Sequence, residues 1–540
     1  MARTTIETPV LIAGGGPVGL ALALDLNYQG TPSIVVEQAA DTGTQPLAKA
    51  GTFNERTIEF CRRWGLVEQI AAGFPDDLPR DTVYCTALNG EYLGRSVVAS
   101  ARERGIPPIS PEMMRRCPQY IFDPILADAV KAGEYSQIRY GSRIESFVQD
   151  DDGVTSLLSD VSTGERFTVR SQYLVGCDGV RSMVREGLDI AFEVVAQMDF
   201  SLSAMIRIDQ IDPYHQFGRC ERFMFIGPEG TWANMTSVDG RGLWRFTVVG
   251  MEAVLNPETY DVKPIVERAL AGSGVPYVIE RVVPWRRAQM LAKSYGRGRV
   301  YMAGDSVHTT SPTGGHGVNT GIGDAVGLSW ALSAMVNGWG GPGLLPAYEE
   351  ERRAVAVRNF GISTENYKIW VGGGMDNVLK EGPVGVAARR NIGNFLEVGL
   401  HQEWYSQGIA LGYRYDNSPL IVPDGTPSDA DHPSFYAPTA RPGHRAPHAW
   451  LPDGRSIVDL FGKGFVLLDF GADAAQLELL TRAAEKIGVP LSLERIEQPE
   501  VAALYRRKLV LVRPDGHVAW RADAAPDNAD TLFERVRGAA

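Results

Sequence analysis

The chain has 540 residues, 53 of them basic and 65 acidic, for a net charge of −12. An acidic chain without a basic stripe makes a poor partner for nucleic acid or an anionic membrane. Its 44% hydrophobic and 22% charged residues exclude wholesale disorder.

The length suggests about three to four domains and a core that needs no staple. Five cysteines, Cys61, Cys85, Cys117, Cys177 and Cys220, form no CxxC pair. Reduced, mostly buried thiols, no metal site and a cytoplasmic protein are therefore expected. Met1 to Glu7 lacks the layout of a signal peptide, and no run of 18 apolar residues suggests a membrane span.

In chain order, Pro9–Ala13 reads as a buried strand, followed by a glycine cluster. Val18–Leu26 reads as a buried helix stopped by Gly30, and Ser33–Val36 as a second strand ending at Glu37. Helices are predicted over 54–64 and 120–132. Strands are predicted within 138–158 and 165–175, with Asp151-Asp152-Gly153 as a hairpin turn. Residues from about 190 to 290 are strand-rich. Val300–Ala303 is a buried strand leading into a glycine-rich segment, and helices are predicted over 323–336 and 346–367. Residues 372–440 are rich in Gly, Pro, Asn and Asp, and Pro423–Pro442 reads as a linker. A small α/β pattern follows, with strands at 464–469, 491–495, 508–512 and 518–521 and helices at 474–487 and 530–536.

Three motifs carry chemistry. Gly14-Gly15-Gly16-Pro17-Val18-Gly19 fits G-x-G-x-x-G between a strand and a helix. In that pattern the first glycine makes the tight turn, the second admits a pyrophosphate and the third lets helix and strand pack. Glu37 closes the next strand, placed to accept from a ribose hydroxyl. The motif alone does not separate FAD from NAD. Tyr173 to Arg185 runs as a strand into Asp178-Gly179 and then a helix. Gly298 to His308 runs as a strand into Gly304-Asp305 and continues through Ser311 to Ala325 with many glycines. A carboxylate at a strand end can accept from a ribityl hydroxyl, and bare backbone amides can face a flavin edge.

Together the three signatures resemble the flavin-dependent aromatic hydroxylases of the para-hydroxybenzoate hydroxylase type, single-component FAD monooxygenases. The resemblance spans residues 8 to about 365, including Leu344-Leu345-Pro346-Ala347-Tyr348 and Glu351-Arg352. Gly412-Tyr413-Arg414-Tyr415 and Pro442 to His448 are similar to the branch with an added thioredoxin-like C-terminal domain. That branch includes phenol hydroxylases, 3-(3-hydroxyphenyl)propionate hydroxylase and aromatic polyketide hydroxylases.

The resemblance implies an α/β fold: a Rossmann-like FAD-binding domain interleaved with a mostly antiparallel β-sheet substrate domain, plus a small thioredoxin-like α/β domain. The FAD-binding domain is expected at 1–190, with substrate-domain insertions near 75–118, and again at 291–422 with a helical region. The substrate domain is expected at 191–290, the linker at 423–442 and the thioredoxin-like domain, lacking CxxC, at 443–540.

The resemblance also assigns roles. Gly14, Gly16, Pro17, Val18 and Gly19 hold the FAD pyrophosphate, and Glu37 and Gln38 the adenosine ribose. Gln119 meets the ribityl region, Asp178 serves FAD and NAD(P)H together, and Gly304-Asp305 holds the ribityl chain. Pro312, Gly315, Gly317, Val318 and Asn319 run along the isoalloxazine. Lys49 stands where many relatives carry Arg, with Arg56 as an alternative basic contact. His316 stands where relatives often have Lys, Gln or Met, and either tunes the flavin or faces solvent. Gly327 replaces a usual Asn.

The implied reaction is NAD(P)H- and O2-dependent hydroxylation of a phenolic ring, ortho or para to the hydroxyl, through a flavin C4a-hydroperoxide. With a single dinucleotide fingerprint, NADPH or NADH is expected as co-substrate without a domain of its own. Epoxidation or Baeyer–Villiger insertion on a polycyclic polyketide is the alternative reaction. A non-catalytic flavin-fold binding protein is the alternative class. Candidates for the base that ionises the phenol are His215, Tyr214, Arg222, Arg245, Asp81 and Tyr84. Trp232, Trp244, Phe223 and Phe225 are expected to pack the sheet, and Arg286-Arg287 to be a solvated pair. The expected partners are a small phenolic or aromatic substrate and O2, with no nucleic acid and no membrane. A homodimer is expected, with the C-terminal domain serving packing or dimer contact.

Overall fold

Apolar runs that alternate with glycine turns build the first sheet. The computed structural model describes residues 5–43, 49–251, 256, 260–372 and 375–540. The strand order in this sheet is Gly296–Arg297, Val300–Met302, Arg166–Gly176, Thr5–Ala13, Ser33–Val36 and Ser136–Arg139. The last five run parallel. Val10, Leu11, Ile12, Val35, Leu174 and Val175 are fully buried, as befits parallel strands covered on both faces. The hairpin Ser142–Gln149 and Val154–Asp160 adds on antiparallel beside Arg166–Gly176, around the expected turn.

Two buried helices cover one face of this sheet. Pro17–Tyr28 buries Gly19 through Leu26, and Gly317–Val336 is buried from Thr320 to Ala334. The second begins six residues before its predicted start at 323. Its early glycines read as loop but serve close approach. A Cβ on Gly321 would lie 2.7 Å from Val18, and one on Gly323 2.7 Å from Arg352.

The second sheet has the order His308–Thr309, Val278–Ala292, Phe192–Arg207, Leu243–Met251, Gly230–Ser237, Arg222–Gly227, Thr82–Cys85 and Tyr92–Ser96. It is antiparallel except where Arg222–Gly227 meets Thr82–Cys85. Phe223, Phe225, Trp232 and Trp244 pack together against one face with Phe246, as expected for sheet packing. The short strand His308–Thr309, just beyond the Gly-Asp motif, pairs with Met290 and Leu291. This joins the first sheet's chemistry to the edge of the second.

The helix Gly382–Gly399 lies in a stretch that composition reads as loop. Its buried stripe is Gly385, Arg389, Ile392, Gly393 and Leu396, while Val384, Val386, Phe395 and Val398 are exposed. The glycines serve contact, since a Cβ on Gly393 would lie 1.9 Å from the Leu93 carbonyl. A stripe of Gly and Arg facing inward, with valines outward, inverts the usual amphipathic signal.

The C-terminal sheet runs Leu491–Arg495, Phe465–Asp469, Leu509–Val512, Val518–Ala522. It is flanked by Ala474–Ile487, Ala529–Val536 and a short helix, Pro499–Tyr505, that the sequence reading does not include. The segment before it, read as a linker, has no regular element but is tied down by ion pairs. Asp424 meets Arg521 at 2.7 Å, and Asp431 meets Arg358 at 2.6 Å. All five cysteines are free, and four of them are buried. No helix among the described residues is long and apolar enough to cross a membrane.

Candidate functional site

In an open parallel sheet, ligands bind beyond the carboxyl ends of the strands. Here the ends of neighbouring strands deliver, side by side, Gly304-Asp305 after Met302, Cys177-Asp178 after Gly176, Gly14 after Ala13 and Glu37 after Val36. They open onto one cavity of about 730 Å³. Its wall includes Gly14, Gly16, Pro17, Val18, Glu37, Gln38, Lys49, Gln119, Asp178, Asp305, Pro312, Gly315, Gly317, Val318 and Asn319.

The glycine turn shows why each glycine is needed. Gly14 has φ +105°, and its Cβ would lie 2.4 Å from the Cys177 carbonyl oxygen. A Cβ on Gly19 would lie 2.0 Å from the Gly14 carbonyl, so Gly19 lets the helix seat on the turn rather than lining the cavity. A Cβ on Gly16 would meet nothing within 4 Å. The space before the Pro17–Tyr28 N-terminus is therefore open. That helix has no side-chain cap, which leaves its first amides available to an anion. Glu37 is fixed from both sides. The Gly15 amide donates to its Oε2 at 2.7 Å and the Ala39 amide to its Oε1 at 2.9 Å.

Asp178 accepts from the Val184 amide at 3.2 Å and from the Ser306 hydroxyl at 3.2 Å, which links the second motif to the third. Asp305 is exposed and faces the cavity. The cavity wall around it raises its pKa, with His308 and Lys49 pulling the other way. Gly304 lines no part of the cavity itself. Its amide donates to the buried Asp324 at 3.1 Å. Asp324 also meets His308 at 2.6 Å and Arg352 at 2.8 Å. Burial opposes ionisation of Asp324, but His308 and Arg352 prevail and lower its pKa.

The Asn319 side chain braces the glycine-rich loop. Its Nδ2 donates to the Thr52 and Gly315 carbonyls at 3.0 and 2.8 Å, and its Oδ1 accepts from the Asn54 amide and Thr57 hydroxyl at 2.9 and 2.7 Å. Only its backbone remains for a ligand. His316 does not face solvent. It is 3% exposed, on the cavity wall, with no hydrogen-bond partner for Nε2 among the described residues. Burial holds its pKa at about 4. Gln119 points its amide at Asp123, 2.9 Å away. Asp123 is pushed up to about 7 by burial.

The second sheet closes the cavity with Arg222 and Arg245, joined by Arg80, Arg116, Thr236, Glu403 and Trp404. Of the six candidate bases only these two arginines line it. Tyr214 ends a short helical turn and His215 follows it, against the aromatic core, with His215 packed on Phe217 and Phe223. Asp81 is spent on the Val98 amide at 2.7 Å and on Arg95 at 3.3 Å. Tyr84 is fully buried in another apolar cluster and bonded to Ser96 at 2.7 Å. Arg56 is also misplaced by the sequence reading. It lies on the face of its helix that meets the C-terminal domain, with Glu59 at 2.8 Å and the Asp515 carbonyl as partners. Arg287 is 1% exposed, not solvated, because Asp199 lies 2.9 Å away across the sheet. Of the cavity's cationic lining, Arg80 and Arg116 carried no signal in the sequence beyond their charge.

The residues fit a dinucleotide, with an open helix terminus and the carboxylates of Glu37 and Asp305 on one cavity wall. A family model described as FAD binding domain matches residues 7–361, and one described as aromatic-ring hydroxylase, C-terminal, matches 439–540. The tetracenomycin B2 monooxygenase-dioxygenase of Streptomyces olivaceus is 31% identical, covering 98% of each chain. A structure of RebC soaked with chromopyrrolic acid, with 7-carboxy-K252c bound, superposes with a TM-score of 0.92 at 39% identity, over 99% of this chain and 100% of that one. The flavin-dependent monooxygenase PieE, in complex with FAD and substrate, gives a TM-score of 0.89 at 29% identity, over 99% and 100%. The chain belongs to the FAD-dependent aromatic-ring hydroxylases, a family of flavoprotein monooxygenases.

Proposed function

We propose that the protein hydroxylates a phenolic ring, ortho or para to its hydroxyl, with NADPH or NADH as reductant and O2 as oxidant. The observation that carries this reading is the single cavity joining the three FAD motifs to the polar face of the second sheet. FAD, when bound, supplies the electron transfer and oxygen activation that no side chain here offers.

The protein's own part is to hold and orient. The first amides of Pro17–Tyr28 would take the pyrophosphate, Glu37 the ribose, and Asp305 with Gln119 the ribityl chain. The backbone from Pro312 to Asn319, braced by the Asn319 side chain, would take the ring. Met114, Val238 and Trp404, which also line the cavity, would help keep water from the ring. The buried network Gly304–Asp324–Arg352 keeps the Gly-Asp turn from shifting when the carboxylate of Asp305 is engaged.

The test is NADPH and NADH oxidation by the FAD-loaded protein against a panel of phenols, with H2O2 and product mass measured together. A phenol that speeds oxidation and gains one oxygen supports the reading. Products gaining oxygen at a carbonyl carbon or an alkene would replace it with insertion or epoxidation.

A further inference from the structure

The helix Gln119–Ala132 starts on the cavity wall with Gln119 and carries Asp123 one turn further in. Residues four apart on a helix are neighbours, and the Gln119 Nε2 donates to Asp123 Oδ2 at 2.9 Å. The Gln119 backbone amide is tied to the Ala50 carbonyl at 3.0 Å. Its side-chain carbonyl receives no hydrogen bond from a described residue, which leaves an acceptor on the cavity wall.

Asp123 lines no part of the cavity. It is 8% exposed, and its Oδ1 has no partner among the described residues. Two other titratable groups face it: Lys49, from the segment after Ser33–Val36, and Cys117, whose thiol burial pushes up to about 12. Burial raises the Asp123 carboxyl to about 7, against the pull of the Gln119 amide and of Lys49. A carboxyl in this setting exchanges its proton near neutral pH.

The proton decides which way the amide points. An ionised carboxylate only accepts, so it takes the Gln119 N–H group and leaves Oε1 to the cavity. A protonated carboxyl carries a donor. Its buried O–H is satisfied by Gln119 only when the amide turns over and shows its NH2 group to the cavity.

Resting on the reading that Gln119 meets the ribityl chain of FAD, we propose that Asp123 is a positioning residue: ionised, it holds the Gln119 carbonyl as acceptor for a ribityl hydroxyl, and protonated, it releases that carbonyl. FAD affinity therefore rises with pH through the Asp123 titration. Direct repulsion between the carboxylate and the anionic cofactor would give the opposite slope.

The test is FAD titration of the apo-protein, followed by fluorescence, at steps from about pH 5.5 to about pH 8.5, a span that brackets the Asp123 titration. The apo Tm confirms the fold of each variant. The parent Kd should fall about fivefold over that span, within the range of one neutral hydrogen bond. D123N keeps the shape and removes the titration, so its Kd should be flat. Q119L removes the group through which Asp123 acts, and its Kd should be flat at or above the parent's acid value. Three results overturn the proposal: a parent Kd that stays level or rises with pH, a slope that persists in D123N, or a slope that persists in Q119L. Should D123N not fold, the parent and Q119L titrations decide alone. A Q119L protein that binds FAD as tightly as the parent throughout would refute the Gln119 contact itself. Weakened binding in Q119L, with the parent's slope kept in D123N, would leave that contact standing and refute the part given to Asp123.

Discussion

Gly16→Val separates cofactor binding from folding within one turn. Gly16 has φ −77° and ψ −179°, an extended backbone that valine adopts freely. A Cβ there meets nothing within 4 Å, so the fold has room for the side chain. The bound pyrophosphate does not, because valine would stand in front of the unpaired amides of Pro17–Tyr28. A hydrogen bond to a charged group contributes about 1.5–3 kcal/mol. Losing two costs about 3–6 kcal/mol, or about 150- to 20,000-fold in Kd. Gly19→Ala is the contrasting change. Its Cβ would sit 2.0 Å from the Gly14 carbonyl, a backbone atom that cannot yield cheaply. The assay is FAD titration of the apo-protein, followed by fluorescence, with the Tm of the apo-protein measured alongside. The expected result is that Gly16→Val keeps the apo Tm and loses FAD, while Gly19→Ala lowers the apo Tm. A Gly16→Val protein that binds FAD as tightly as the parent, or unfolds like Gly19→Ala, would refute the division of roles.

Asp305→Asn should weaken FAD binding while leaving the apo Tm close to the parent's, because Asp305 is exposed and faces the cavity; unchanged FAD affinity, or a large loss of apo Tm, would count against this. Arg352→Met removes one partner of a buried ion pair, which costs about 3–5 kcal/mol. With about 2.1 cal/mol/K of unfolding entropy per residue, that is a Tm loss of about 3–4 °C for a chain of 540 residues. FAD affinity should fall too, because the Gly304 turn loses its anchor. His316, held at about pKa 4 by burial, refuses a proton that the unfolded chain takes up below pH 6.5. Stability from this group is full above 6.5 and declines as pH falls toward 4, so His316→Gln should flatten the Tm–pH slope in that window. An unchanged slope would mean that His316 is protonated in the fold.

The sequence made the cofactor end legible because its chemistry restricts residue types. Only glycine fits the Gly14 and Gly19 positions, and the carboxylates of Glu37 and Asp305 stand at the expected strand ends, on the cavity wall. The strand Ser33–Val36 and the helix Ala474–Ile487 have the expected bounds because apolar runs and turn residues mark them locally. The substrate end was not legible, because its lining is assembled from distant segments. Arg116, Arg222, Arg245 and Glu403 come from four of them, and sheet register alone brings Arg222 and Arg245 into one row. Arg56 read as a cofactor contact and Arg287 as a solvated charge because their partners, the Asp515 carbonyl and Asp199, lie 459 and 88 residues away. The helix Gly382–Gly399 was hidden by a buried stripe made partly of glycine.

The helix Leu344–Trp370 carries Glu351 and Arg352 in succession. Arg352 reaches Asp324 behind the Gly-Asp turn, while Glu351 receives two hydrogen bonds from Arg513 of the C-terminal domain, at 2.6 and 2.8 Å. Glu59, on another helix of the cofactor half, is likewise held by Arg445. The C-terminal domain is therefore not a detachable module. A chain cut near residue 440 would strand Glu351 without its arginine and leave Glu59 with only Arg56 and the Ser110 hydroxyl. Exchange of that domain between relatives would succeed only where the acid on one side and the arginine on the other travel together. These two pairs, with Arg62 held on Asp459 at 2.7 and 3.0 Å, are contacts a chimera would have to keep.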